Sequence, residues 1–156
     1  MGASREGNEA GVGSRSPVRI LLAEDDPDLR VLLALALEAD GFEVVQVDDG
    51  ARLVHQIGSA FLKADGPSTF DLIISDVRMP KLGGLDVLRA LTRLEVFTPL
   101  ILITAFGDES LHTEATRLGA VAVLDKPFDI DELLFEVHRS VPPDYVRRGL
   151  ARARNI

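Results

Sequence analysis

Five short apolar runs, each followed by residues at helical spacing, constrain this chain more than any other feature. They fall at residues 18–23, 42–47, 72–74, 100–104 and 121–124. Runs of this length with almost no polar alternation predict strands covered on both faces. The segments between them read as helices. Asp26 is a good N-cap with Pro27 at the first helical position, and Leu29, Leu32, Leu33 and Ala36 follow until Gly41 stops the helix. Leu53, Ile57, Ala60 and Phe61 mark a second helix that runs out near Lys63, and the turn-rich residues 64–69 lead to the third strand. Leu85, Leu88 and Leu91 stripe a helix over about 84–95. Leu111, Ala115 and Leu118 stripe another, closed by Gly119. The last carries Ile130, Leu133, Leu134 and Val137 behind a capping box of Asp129 and Glu132.

Buried strands alternating with amphipathic helices imply a parallel sheet with right-handed crossovers and helices on both faces. The expected fold is a doubly wound α/β domain. It is a three-layer, flavodoxin-like sandwich whose five strands follow the order 2-1-3-4-5. In such sheets ligands collect beyond the carboxyl ends of the strands. The residues delivered there are Glu24, Asp25 and Asp26, then Asp76, Thr104 and Lys126. After Asp76, Met79-Pro80 forces an extended turn and Gly83-Gly84 permits a tight bend into the next helix.

Charge narrows the function. Lys and Arg total 17 against 25 Asp and Glu, for a net −8. Residues 1–17 are balanced and 145–156 carry four arginines without an acid, which leaves residues 18–144 with 11 basic and 23 acidic side chains, net −12. Such a body repels nucleic acid and suits a cation or a cationic partner. The absence of cysteine excludes disulfides and thiolate metal sites. No apolar run approaches the roughly 20 residues that cross a bilayer, so a soluble cytoplasmic protein without a membrane role is expected. Residues 1–17, rich in Gly and Ser, read as a disordered tail or a cloning remnant. Residues 18–140 read as the domain, and 141–156 as an Arg-rich tail or the start of a linker.

Three carboxylates gathered at one sheet edge repel one another unless a cation neutralises them. A hard divalent ion with oxygen ligands, Mg²⁺ above all, fits better than Zn²⁺. Lys126 adds a fixed positive charge, the Thr104 hydroxyl can donate a hydrogen bond, and Asp76 is an available oxygen nucleophile. Together they suit a phosphoryl group.

The acidic pair after the first strand, the Asp76-x-x-Met-Pro sequence with Gly83-Gly84, the Thr104-Ala105 pair and Lys126-Pro127-Phe128 resemble the receiver domain of two-component response regulators. The resemblance covers residues 18–140 and implies a stand-alone regulator of the chemotaxis-receiver kind. It implies that Asp76 accepts a phosphoryl group from a histidine kinase or a histidine phosphotransfer protein, and that the product signals to a downstream protein. Mg²⁺ would be held by Asp25, by Glu24 through water, by Asp76 and by the backbone carbonyl of Arg78. Thr104 would swing toward the phosphate, Lys126 would pair with it, and Lys126-Pro127 would be cis. Asp26 then serves as a cap. Val123 stands where many members carry a Tyr or Phe that changes rotamer, and Arg78 and Phe106 stand where the family tunes hydrolysis of the acyl phosphate.

Other readings of the same residues are plainer. The run Glu24-Asp25-Asp26 suits a helix N-terminus. A receiver fold kept as an unphosphorylated scaffold is one alternative function. A phosphohydrolase with an aspartyl phosphate intermediate is another, disfavoured because Arg78 stands where that family has a second Asp. A nucleotide site is opposed by acids where a G-x-G-x-x-G loop would follow the first strand. His55, His112 and His138, each on an expected helix without a paired ligand, read as surface or packing residues.

Overall fold

A computed structural model describes residues 17–62 and 70–141. The expected tails, apart from Pro17 and Val141, and the 64–69 loop lie outside the described residues. The elements run β1 (Arg19–Ala23), α1 (Pro27–Ala39), β2 (Glu43–Val47), α2 (Gly50–Leu62), β3 (Leu72–Asp76), α3 (Gly84–Arg93), β4 (Leu100–Thr104), α4 (Glu109–Arg117), β5 (Ala122–Asp125) and α5 (Ile130–Ser140). The five strands pair in parallel in the order β2-β1-β3-β4-β5. This is the doubly wound sheet that the alternating pattern requires. Among the described residues no helix is long and apolar enough to cross a membrane.

Successive residues of a strand point to opposite faces, and the core divides accordingly. Ile20, Leu22, Leu72, Ile74, Ile101 and Ile103 meet Leu33 and Leu37 of α1 and Leu133 and Val137 of α5 on one face. Leu21, Ala23, Ile73, Leu100 and Leu102 meet Leu53 of α2, Val87, Leu88 and Leu91 of α3 and Ala115 of α4 on the other. Every residue of β3 and β4 is buried. The outer strands are not. β2 and β5 are largely half-exposed, because a strand with one neighbour is covered on one edge only.

Two local expectations need correction. On α1 the buried stripe is Leu33, Ala34 and Leu37, whereas Leu32 is 53% exposed and Leu35 59%. The helix is apolar almost all round, so periodicity cannot set its phase; the cap and the crossover from β1 do. At α5 the capping box is absent: Asp129 occupies the N-cap without a side-chain cap bond, and only its carbonyl accepts, from the Glu132 amide at 3.0 Å. The tight bend expected at Gly83-Gly84 is made by close approach, since a Cβ would overlap the Val77 carbonyl oxygen at Gly83 and stand 2.6 Å from that of Asp76 at Gly84. Gly83 is extended at φ −83°, and the left-handed residue of this loop is Lys81 at φ 70°.

Candidate functional site

The register places the carboxyl ends of the central strands side by side. Ala23 pairs with Ser75, Asp76 with Ile103, and Thr104 with Asp125. Glu24 and Asp76, each one residue further, therefore stand at the same level of neighbouring strands. One carboxylate oxygen from each of Glu24, Asp25 and Asp76 lies within 4.8 Å of the others. Glu24 is fully buried, Asp76 is 5% exposed, and Asp25 faces solvent.

Lys126 enters from the end of β5. Its Nζ donates to Glu24 Oε2 at 3.0 Å and to Asp76 Oδ2 at 2.5 Å, across 102 and 50 residues of sequence. The Lys126 amide donates to the Thr104 carbonyl at 2.7 Å, and the Lys126-Pro127 peptide is cis. Burial and the nearby Asp76 carboxylate push the Glu24 carboxyl up to about 7, against the opposing bond from Lys126. Burial pulls the Lys126 ammonium down, but its bonds to Asp76 and Glu24 more than offset this, and it sits above its ordinary value. The pocket thus lacks positive charge: one ammonium faces three acids.

Local structure fixes the acids. Asp26 caps α1, accepting from the Asp28 and Leu29 amides at 3.0 and 3.3 Å, so it is oriented as a cap. Its amide donates to Glu24 Oε1 at 3.2 Å. Arg30, one turn into α1, returns to donate to the Glu24 carbonyl at 2.9 Å. At the end of β3, the buried Ser75 hydroxyl donates to the Asp76 carbonyl at 3.0 Å and the Arg78 amide to Asp76 Oδ1 at 2.9 Å. A Cβ on Gly84 would stand 2.6 Å from the Asp76 carbonyl oxygen and 2.8 Å from Leu102 Cδ2. Only glycine lets α3 start this close to the acceptor strand.

The β4–α4 loop is held differently. Buried Thr104 accepts through Oγ1 from the Phe106 amide at 3.1 Å. The Phe106 ring is 65% exposed and lies 4.5 Å from the Arg78 guanidinium carbon. A cation–π contact of this kind contributes about 0.5–1 kcal/mol at an exposed position. Beneath the pair, a groove of about 290 Å³ runs between α3 and α4, lined by Val77, Leu85, Thr104, Leu111 and Glu114 among others.

The structure brings every sequence-derived site residue, Glu24, Asp25, Asp76, Arg78, Thr104 and Lys126, to this edge. Two histidines that the sequence left without partners have them: His112 Nε2 is 3.0 Å from both Asp125 oxygens, and His138 Nε2 is 2.5 Å from Asp40 Oδ2. Arg30, Ser75 and the His112–Asp125 pair escaped sequence reasoning. Their partners are a backbone carbonyl or a side chain that only tertiary packing brings near. The Arg78–Phe106 contact escaped it for the same reason.

The oxygen-only donor set fits a hard divalent cation. Ligands at about 2.1 Å from Mg²⁺ stand no more than about 4.2 Å apart, so the observed spacing needs little contraction. The raised proton affinity of Glu24 comes first from burial and then from the neighbouring Asp76 carboxylate, and a bound cation would oppose both.

A doubly wound sheet with an acid triad and a lysine at its carboxyl edge defines a class of α/β domains. Within it, this chain belongs to the response regulator receiver domain family, whose model matches residues 20–138. It is 39% identical over 138 residues to the C4-dicarboxylate transport transcriptional regulatory protein DctD of Pseudomonas aeruginosa, covering 88% of this chain and 28% of that protein. It is 31% identical to the response regulator receiver protein CpdR of Brucella abortus, covering 78% of this chain and 94% of that one. The non-phosphorylated HemR receiver domain of Leptospira biflexa superposes with a TM-score of 0.68 at 29% identity, over 80% of this chain and 94% of that domain. The chain therefore spans about a quarter of DctD but nearly all of CpdR.

Proposed function

We propose that Asp76 of this receiver domain accepts a phosphoryl group from a histidine kinase or a histidine phosphotransfer protein in a Mg²⁺-dependent reaction. The domain, residues 18–140, then signals in the cytoplasm through altered binding to a downstream protein. The observation that carries the reading is Lys126 Nζ set between Glu24 and Asp76, with Asp25 alongside.

In the transfer, an Asp76 carboxylate oxygen attacks phosphorus. The bond from phosphorus to the donor imidazole nitrogen breaks, and that nitrogen keeps the electron pair and takes up a proton. Lys126, hydrogen-bonded to Asp76, remains beside the developing charge on the phosphoryl oxygens. The Thr104 hydroxyl supplies a hydrogen bond to one of them. Mg²⁺, held by Glu24, Asp25, Asp76 and the Arg78 backbone carbonyl, would supply further neutralisation of those oxygens. The Arg78 amide orients Asp76 through its 2.9 Å bond.

Incubation with Mg²⁺ and acetyl phosphate, followed by intact-mass measurement, tests this. The expected result is a gain of one phosphoryl group that EDTA prevents and that Asp76→Asn lacks. Sustained phosphate release from many esters would point to a hydrolase instead. No gain with any donor, acetyl phosphate or a phosphorylated histidine kinase, would leave an unphosphorylated scaffold.

A further inference from the structure

We propose that Lys81 is a positioning residue for the metal site: its ammonium, held by the Asp49 carboxylate at the start of α2, braces the tip of the β3–α3 loop and so fixes the direction of the Arg78 carbonyl. This rests on the reading of that carbonyl as a Mg²⁺ ligand.

The first support is a strained backbone. Lys81 stands at φ 70°, and among the described residues Glu95 is the one other non-glycine with a positive φ. A residue with a Cβ is disfavoured there, and glycine or asparagine takes such a position more readily. Strain of this kind persists where the surroundings over-determine the conformation. Here the lysine Nζ reaches Asp49 Oδ2 at 3.5 Å, across 32 residues of sequence.

The second support is the partner. Asp49 is only 8% exposed, its Oδ1 accepts from the Arg52 amide at 2.8 Å, and its Oδ2 lies 3.9 Å from Arg52 Nε. A carboxylate fixed in this way by the first turn of a helix is an anchor with little freedom of its own. The Arg52 amide and, after it, the Lys81 charge hold the Asp49 carboxyl below its ordinary value, so it is ionised at neutral pH.

The third support is that the brace continues along the backbone. The Pro80 carbonyl accepts from the Leu82 amide at 2.9 Å and from the Gly50 amide at 3.5 Å, and a Cβ on Gly50 would overlap the Leu82 carbonyl oxygen. Residues 80, 81 and 82 thus each meet Asp49 or Gly50. At its base the loop is closed by the Gly84 amide on the Val77 carbonyl at 3.1 Å and by the Arg78 amide on Asp76 Oδ1 at 2.9 Å. Arg78 lies between the closed base and the braced tip, so a tip without its anchor lets the Arg78 carbonyl turn.

Charge alone gives the opposite effect. Lys81 adds positive charge near a site that gathers three carboxylates, so a lysine acting only through its field would weaken a divalent cation, and its removal would tighten binding. Loss of an outer partner that orients a metal ligand instead weakens binding, by about tenfold or more. The sign of the change separates the two roles.

The test is titration calorimetry with Mg²⁺ on the wild-type chain, Lys81→Asn, Lys81→Arg and the double variant Asp49→Asn/Lys81→Asn, with urea unfolding of the same proteins in EDTA. Asparagine accepts the left-handed backbone and lacks the ammonium. The expected result is that Lys81→Asn is at least as stable as the wild type yet binds Mg²⁺ about tenfold more weakly. Lys81→Arg keeps the wild-type affinity, and the double variant is no weaker than Lys81→Asn, because the two residues act as a pair. Affinity that is unchanged or higher in Lys81→Asn overturns the brace and spares the metal site. Weaker binding accompanied by lower stability, or shared by Lys81→Arg, also overturns it, since the lysine would then be merely structural. A double variant several-fold weaker than Lys81→Asn overturns Asp49 as the anchor. A wild-type chain that binds no Mg²⁺ overturns the metal reading and the brace together.

Discussion

The two sides of the site are built in different ways. On the β1–β3 side, Glu24 and Asp76 are nearly inaccessible and their backbone is pinned: the Arg30 and Ser75 side chains donate to their carbonyls, and α3 begins against the Asp76 carbonyl at Gly84. On the β4–β5 side, the loop carrying Phe106 is held by one hydroxyl, one stack on arginine and the exposed His112–Asp125 pair. Backbone contacts inside a close-packed interior give little, whereas exposed side-chain contacts exchange readily with water. The difference sets the buried acids on a pinned frame and leaves the β4–α4 loop held by exposed side-chain contacts.

The largest expected contrast is between two glycine substitutions. Gly84→Ala sets a methyl against the Asp76 carbonyl and Leu102 and should cost roughly 3 kcal/mol in urea unfolding. Gly107→Ala meets side-chain atoms rather than backbone, overlapping Asp125 Oδ1 and standing 2.9 Å from His112 Nε2 and Thr104 Cγ2; the exposed pair can give way, and the cost should be about 1 kcal/mol. Equal costs would break the distinction between the two sides.

The pH dependence of the rigid side comes next. Without metal, folded Glu24 keeps its proton up to about 7, while the unfolded chain releases it near 4.5. The unfolded state then binds fewer protons across that window, so stability should fall as pH rises from about 4.5 to 7 and level off above, by on the order of 2 kcal/mol. Mg²⁺ should stabilise more at pH 8 than at pH 5, since binding needs the carboxylate. Thermal melts in EDTA and in Mg²⁺ at both pH values measure this; a metal-free protein whose stability climbs over the window contradicts it.

Removing a positioning bond gives a smaller effect. Arg30→Met deprives the Glu24 carbonyl of its donor and should cost about 1 kcal/mol, together with weaker Mg²⁺ binding by titration calorimetry. Mg²⁺ binding that strengthens in this variant would mean that the guanidinium acts through charge repulsion rather than placement. Smallest is His112→Ala on the soft side, about 0.2–1 kcal/mol, as for exposed ion pairs. A larger loss in chemical denaturation would show that the β4–α4 loop is anchored more firmly than its exposure indicates.

Much of this was legible in the sequence because it depends on local rules. Short apolar runs and helical stripes gave the five strand–helix units, and Asp26-Pro27 marked the start of α1 correctly. The convergence of Glu24, Asp25, Asp76 and Lys126 followed from strand order alone, since each ends a strand at the same edge. The failures share another cause. The α1 sequence is apolar on several faces, so spacing alone puts Leu32 in a core stripe that the fold leaves in solvent, and Asp129 has the sequence of a capping box without the side-chain bond. Both depend on how a helix is rotated and entered, which its own residues leave open.

By itself, then, the sequence determined the alternation of elements, the winding of the sheet and which side chains arrive at its carboxyl edge, because periodicity and chain direction are properties of neighbours along the chain. Only the tertiary structure decided that Lys126 bridges Glu24 and Asp76, that Arg30 clasps the Glu24 carbonyl, and that Phe106 rests on Arg78 above an open groove. Those contacts join residues through angles and distances set by packing across layers, and no spacing in the chain encodes them.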